Sequence, residues 1–278
     1  MDSNAFTTPF QLTKTMKREI YPAIDPNNPE LSATGKTVLI TGATGGIGGL
    51  SIVLVGRKKE LLDEPASAVK AISPSTQVLA LIADLTSDSD VEGLFKHAID
   101  SLVAIDVLVH AAGGTTTGVD YELNVKASYT VAHYYLKSSP GGSIIFLGTL
   151  GAPFTFPGLS SYSGSKLALM KLAEFLDAEK PKFRVFTVHP GIVGVTETNC
   201  GAVVDALTPF AKDKGIQTGG LSLYLAQKRA GYLRGGFISV NWDDEEMEAH
   251  QEEIKEQKLL KLGFLGAKLG SDGHPWSS

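Results

Sequence analysis

Cysteine is nearly absent: Cys200 is the one thiol in 278 residues. A disulfide framework is thereby excluded, and a reducing, cytoplasmic setting is the natural reading. No obvious base neighbours Cys200, which argues against a nucleophile. No run approaches the ~18 consecutive apolar residues of a membrane span. The opening stretch, MDSNAFTTPFQLTKTMKREIYPAIDPNNPE, has no apolar run and carries acidic residues, so it reads as neither a signal nor a transit peptide. Positive charge is in deficit, with 25 Lys and Arg against 30 Asp and Glu and a net charge of −5. No basic patch marks a nucleic-acid partner. Internal repeats are missing, and no metal site is expected.

What is present is a core-forming composition, 43% hydrophobic, at a length that suits one α/β domain. Prolines and asparagines around Ile24–Glu30 predict an extended arm, taken as residues 1–34, lying on a domain that spans 35–242. Apolar runs at Val38–Thr41, Ser51–Val55, Val78–Ala83, Asp106–His110, Ser143–Leu147, Arg184–His189 and Gly236–Asn241 read as strands. Helical patterns lie between them, at Glu60–Ile72, after Ser87, at Tyr121–Lys137, Ser161–Glu179 and Leu221–Ala230. Pro65 implies that the first of these helices is kinked or starts late. In the second, Val91, Leu94, Phe95, Ala98, Ile99 and Leu102 recur at helical spacing, with Asp88 or Ser89 as its cap. A charged tail helix over Asp243–Leu262, solvated along one edge, completes the pattern within a C-terminal segment 243–278. Continuous apolar strands alternating with amphipathic helices predict a doubly wound parallel sheet, Rossmann-like, covered on both faces.

Two constellations carry chemistry. Thr41, Gly42, Gly46 and Gly48 form T-G-x-x-x-G-x-G after the first strand, where glycines let backbone N–H groups approach a pyrophosphate. Asp84 after the third strand is placed to accept from an adenine amino group. His110–Gly113 puts small residues after the fourth. At the end of the second strand, an acidic residue would bind a free ribose 2′-hydroxyl. Gly56 stands there instead, followed by Arg57 and Lys58. A guanidinium can hold a 2′-phosphate, so NADP(H) is favoured, with NAD(H) the alternative. In SSYSGSKLAL, Tyr162 and Lys166 lie four apart on one helix face. An ammonium ~4 Å from a phenol favours the phenolate by about 4 kcal/mol at an effective dielectric near 20, up to about three pKa units. Such a tyrosine can exchange a proton with a carbonyl or alcohol oxygen.

With these motifs, the sequence resembles the short-chain dehydrogenase/reductase family from about Gly35 to Trp242, through TGATGGIG, ADL, HAAG, ELNVKAS, YSGSK and HPGIV. The arm and the GGFISVNWD ending look like fungal members. The resemblance implies an oxidoreductase that interconverts a small-molecule carbonyl and alcohol by hydride transfer. Tyr162 would be the acid/base, Lys166 would hold the nicotinamide ribose, and Asn124 would position a water in the proton relay. Thr149 stands where the family usually has serine and would bind the substrate oxygen. Ile47, Leu85 and Ala111 fall at cofactor-binding positions together with Gly113. Ile192 and Val193 would contact the nicotinamide, and Pro190 and Gly191 before them fall at cofactor-binding positions. His110 and Ala111 replace two asparagines common in the family, and a buried, hydrogen-bonded His110 is expected rather than a catalytic one. Val195 takes the place of the family's threonine, with Thr196 one position late. The family is usually dimeric or tetrameric, so a homodimer or homotetramer is implied. A lid over Thr196–Thr218, with Val203, Leu207, Pro209 and Phe210, hints at an apolar substrate or at ordinary packing.

Two segments are short. Thr41–Leu50 has ten residues, five of them glycine, between two parallel strands. A crossover with a helix needs at least about ten to twelve residues, usually more. The first crossover helix is therefore shortened or missing, and the strands beside it would expose apolar surface or need another cover. Gly113–Asn124 is also abbreviated. Either the sequence has lost residues around an intact frame or the protein is shortened and its site impaired. Three readings follow: the oxidoreductase, a non-catalytic protein of the same fold acting as scaffold or regulator, and a biosynthetic enzyme running another reaction in the same site.

Overall fold

The computed structural model describes residues 2–42, 51–102, 104–114, 120–155, 157–194, 202–263 and 271. The apolar runs pair into one sheet. Its strands are β1 (Thr37–Thr41), β2 (Ser51–Gly56), β3 (Gln77–Ile82), β4 (Val107–His110), β5 (Gly142–Leu147), β6 (Phe183–His189) and β7 (Phe237–Ser239). They lie in the order β3-β2-β1-β4-β5-β6-β7, and every neighbouring pair is parallel. This is the predicted doubly wound sheet. The order reverses between β1 and β4, so the crevice for a ligand opens at the C-terminal ends of those strands.

Helices α1 (Glu60–Ile72), α2 (Asp88–Leu102), α3 (Ala127–Ser138), α4 (Ser160–Glu179), α5 (Ala202–Leu207) and α6 (Gly215–Leu225) flank the strands. Successive strand residues point to opposite faces, and the core divides accordingly. Leu39, Val53, Val55 and Leu108 pack with Val91, Leu94, Phe95 and Ala98 of α2 and with α3 and α4. Val38, Ile40, Ile52 and Leu54 form the other cluster with Leu62 and Val69 of α1, with Leu221, Tyr224 and Leu225 of α6, and with Ile24, Leu31 and Ala33 of the N-terminal arm.

That second cluster supplies the cover that the short β1–β2 connection called for. Val38, Ile40, Ile52 and Leu54 are no more than 3% exposed. The arm reaches them through two 3-10 turns, Pro22–Ile24 and Pro29–Leu31, each started by proline. It docks closely on α6, where a Cβ at Gly220 would collide with the Ile24 carbonyl.

Three local expectations are corrected, and of the two readings of Pro65 the late start is ruled out. Helix α1 starts at Glu60 and runs through Pro65, which lies in the second turn rather than the first. The proline removes one backbone bond, while buried Leu62 and Val69 hold the helix to the sheet. The cap of α2 is Ser87, whose Oγ accepts from the Asp90 N–H (3.3 Å). The helix expected over Leu221–Ala230 is α6, six residues earlier at its start; Gly219 and Gly220 disguised it in the sequence. The tail is two short helices, α7 (Asp244–Ala249) and α8 (Gln251–Glu256), broken at His250. Met247, Ile254 and Leu260 are buried, and the Leu260 carbonyl accepts from the Phe237 N–H (3.1 Å), covering the β7 edge.

Candidate active site

The crevice is built on a polar chain that crosses the ends of β1 and β4. Ser128 Oγ donates to the Asn124 carbonyl (2.7 Å), so it accepts from His110 Nε2–H (2.9 Å). His110 Nδ1 then accepts from Thr41 Oγ1 (2.9 Å), and Thr41 Oγ1 in turn accepts from the Ala112 N–H (3.3 Å). Burial, with the Lys166 charge adding to it, drives the His110 pKa down to about 3. His110 is thus a neutral, doubly bonded imidazole, as expected, and it fixes the backbone on which Asn124 stands.

Asn124 lies in a π-turn, Glu122–Lys126, that leads into α3. Such turns are rare and concentrate at functional sites. Its side chain is 1% exposed. Oδ1 accepts from the Gly114 N–H (2.9 Å), while Nδ2 donates to the Gly114 carbonyl (2.8 Å) and to Ser165 Oγ (2.9 Å). Ser165 Oγ donates onward to the Tyr162 carbonyl (2.7 Å). One amide therefore ties the loop after β4 to the helix that carries Tyr162 and Lys166.

Tyr162 and Lys166 occupy adjacent turns of α4, and the Thr149 side chain acts on the Tyr162 phenol. Lys166 is buried, and its Nζ donates to the Leu147 carbonyl at the end of β5 (2.8 Å). Burial lowers the Lys166 pKa to about 8, against an opposing pull from Asp120. The phenol departs from expectation. Burial pushes the Tyr162 pKa up, the Thr149 side chain works against this, and the Asp120 charge reinforces it. Desolvation outweighs the pull of Thr149, so the phenol is held in its protonated form.

Asp120 is the residue that sequence reasoning missed. It is 3% exposed, its N–H donates to Ser161 Oγ (3.2 Å), and its carbonyl accepts from the Asn124 N–H (2.8 Å). Its carboxylate acts on both Tyr162 and Lys166. Nothing in the string VDYELN marks it, because its role follows from being folded between α4 and the π-turn.

The dinucleotide side is partly described. Gly46, Ile47 and Gly48 lie outside the described residues, as do Val195, Thr196 and Cys200. Gly42 has φ +68°, and a Cβ there would sit 2.8 Å from the Ala112 nitrogen, so β1 and the Ala111–Gly113 strip meet backbone to backbone. Gly113 passes Lys166 Nζ and Asn124 Oδ1 with no room for a side chain. Arg57 is exposed at the end of β2 and lowers the pKa of Asp84 at the end of β3. The larger cause of that shift is Thr86, whose N–H and Oγ1 both donate to Asp84 Oδ1 (2.9 and 2.7 Å). Leu85 is buried beneath. Pro190, Gly191 (φ +80°) and Val193 follow β6, and Val193 bridges to Asp213. Bare backbone at Gly42 and Gly113, an exposed guanidinium beside Asp84, and a buried ammonium fit a nicotinamide dinucleotide laid across the switch point. In the lid, buried Phe210 packs edge-on against Phe6 of the arm (centroids 4.6 Å apart), so this ring serves packing. Among the described residues, no helix is long and apolar enough to cross a membrane, and no cluster of His, Cys, Asp and Glu could hold a metal.

Comparison with known proteins agrees with this geometry. The family model for short chain dehydrogenases matches residues 36–203. The short chain dehydrogenase pigC of Monascus ruber is 28% identical over 295 positions, covering 92% of this chain and 94% of the relative. That alignment is longer than the 278-residue chain, so the relative has segments that this chain lacks. The short chain dehydrogenase andI of Emericella variicolor is 29% identical over 82% of this chain and 89% of its own length. Among solved structures, a short-chain dehydrogenase/reductase from Serratia marcescens superposes with a TM-score of 0.66 at 26% identity, covering 74% of this chain and 96% of that one. With its parallel seven-stranded sheet and its crevice at the β1/β4 reversal, the chain belongs to the short-chain dehydrogenase/reductase family of oxidoreductases.

Proposed function

We propose that this chain is a cytoplasmic, NADP(H)-dependent oxidoreductase that interconverts a carbonyl and an alcohol, with Tyr162 exchanging the proton. The observation that carries the reading is the placement of Tyr162 and a buried Lys166 on adjacent turns of α4, with Lys166 anchored on the Leu147 carbonyl and Thr149 acting on the Tyr162 phenol. Thr149 Oγ1 and the Tyr162 hydroxyl would together hold the substrate oxygen. The phenol, protonated at neutral pH, would donate to a carbonyl, and its conjugate base would accept from an alcohol. Lys166 keeps one N–H on the Leu147 carbonyl and has others free to hold ribose hydroxyls. Asn124 fixes the Lys166 surroundings through Gly114 and Ser165, which supports its assignment to the proton relay. Arg57 would hold a 2′-phosphate, Asp84 and Leu85 would border the adenine, and Pro190–Val193 would face the nicotinamide. Gly46, Ile47 and Gly48 would contribute pyrophosphate contacts. The bound nicotinamide supplies or takes up the hydride.

Exposed Tyr129, Leu167 and Phe175 on α3 and α4 favour a homodimer or homotetramer, checked by light scattering. A second reading, a non-catalytic member of the family, is favoured by the upward push on Tyr162 and by the ten-residue span Thr41–Leu50. The two readings separate in a calorimetric titration of NADPH combined with Tyr162→Phe. The enzyme reading expects micromolar NADPH binding, turnover reduced about 10³-fold by Tyr162→Phe, and cofactor affinity within twofold of the parent. A folded protein that binds no NADPH, or a variant with full turnover, would sink it.

A further inference from the structure

Midway along the N-terminal arm, Arg18 forms an ion pair against the segment that follows β6. Asp213 has a side chain 0% exposed. Its Oδ2 accepts from Arg18 Nη1 (2.8 Å) and from the Ile192 N–H (2.6 Å), and its Oδ1 accepts from Asn241 Nδ2 (2.7 Å). Its own N–H donates to the Ile192 carbonyl (3.2 Å). Gly191, at φ +80°, lies directly against the carboxylate, since a Cβ there would come 2.5 Å from the Asp213 side chain. Arg18 is in turn held by Asn4 Oδ1 (2.9 Å) and Thr7 Oγ1 (2.8 Å). One carboxylate thus joins the segment after β6, the stretch before α6, the end of β7 and the arm.

A carboxylate out of water needs a full set of donors, and among the described residues this one has its cation only from the arm. Removing Arg18 leaves an uncompensated buried charge. The change that best relieves it is for Asp213 to turn towards water, releasing the Ile192 N–H and Gly191. We propose that Asp213 is a positioning residue, and that Arg18 makes the N-terminal arm a working part of the active site by holding Gly191–Val193 in place. This rests on the NADP(H) reading for its catalytic consequence, because those residues face the nicotinamide only in that reading. It acts on the nicotinamide end and leaves the adenine end, at β2 and β3, untouched.

Two measurements on the full chain test it. The first needs no ligand: hydrogen exchange of Arg18→Met against the parent. Exchange in a peptide covering 189–194 should quicken at least tenfold, with β5 unchanged, and Arg18→Lys should restore most of the protection, since an ammonium can still reach Asp213. No change at 189–194, or equal loosening everywhere, overturns the proposal. The second is calorimetry with NADPH and with 2′-phospho-ADP-ribose, which lacks the nicotinamide. Arg18→Met should weaken NADPH about tenfold and the fragment less than twofold. Equal effects on both would mean general destabilisation and overturn the positioning role. If the parent binds neither ligand, the cofactor reading fails by itself, and the exchange result still decides whether Arg18 and Asp213 hold the segment.

Discussion

The two halves of the sheet solve one problem with very different amounts of chain. On the β4–β7 side, the 12 residues of α3 and the 20 of α4 connect and cover the strands. On the β1–β2 side, the nine residues 42–50 bridge two parallel strands, yet the strands pair in full register from Thr37↔Ser51 to Thr41↔Val55. Both halves end up buried. Apolar cover is non-directional, so the arm can supply through Ile24 and Leu31 what a crossover helix supplies elsewhere. Oriented N–H donors for a phosphate are directional, and packing by an arm cannot replace them. The difference teaches that fold and phosphate recognition are separable demands on the same segment.

The largest expected effect tests the cover. Leu31→Ala removes a fully buried side chain from the β1–β2 face and should lower unfolding stability by about 2–5 kcal/mol in urea. Ile72→Ala, 86% exposed on α1, is the matched control and should stay within ~0.5 kcal/mol of the parent. If Leu31→Ala costs no more than that control, the arm is not what holds this face, and the comparison collapses.

Next in size is the phosphate side. Arg57→Ala should weaken NADPH about tenfold and leave NADH within twofold, because the guanidinium would meet only the 2′-phosphate. Competition titrations of the two cofactors measure this directly. An equal loss for both would remove the basis for preferring NADP(H). No loss for either would leave Arg57 as a solvated charge beside Asp84.

Much of this was legible in the sequence because period-2 and period-3.6 patterns report burial directly. The seven strands and helix α4 come from such patterns, and Tyr162 with Lys166 comes from helical spacing. His110 could be read as structural, because a histidine ending a buried strand has backbone and hydroxyl partners close by. Where the reading slipped, a tertiary contact had overridden the local signal. Helix α6 was hidden by Gly219 and Gly220, which break the helical pattern; at Gly220 the arm packs too closely for any side chain. The tail looked like a solvated helix because its buried positions, Met247, Ile254 and Leu260, are spread over two helices and a turn. The direction of the Tyr162 shift was misjudged because the sequence showed the ammonium but neither the depth of burial nor Asp120. Asp213 carries no local pattern at all; its partners come from residues 18, 192 and 241.

The smallest expected effect is a matter of protons, and it sharpens the contrast from the well-covered half. Asp120 holds a negative charge near both Tyr162 and Lys166, raising both pKa values. Asp120→Asn keeps the backbone bonds to Ser161 and Asn124 while removing the charge, so both values should fall. With Tyr162 as the proposed base, alcohol oxidation would need the phenolate, so its rate should climb as pH passes the Tyr162 pKa. In the variant that climb should begin at a lower pH, since the charge that raises the Tyr162 pKa is gone. Lys166, near 8 in the parent, should lose its proton earlier as well, so NADPH affinity should decline from a lower pH on the alkaline side. A pH profile of kcat/KM for oxidation, with NADPH affinity at pH 7 and pH 9, separates the two shifts. An unmoved rising limb together with unchanged alkaline binding would show that Asp120 is only a packing partner of the π-turn. The short loop after β4 would then have no part in setting the chemistry of α4.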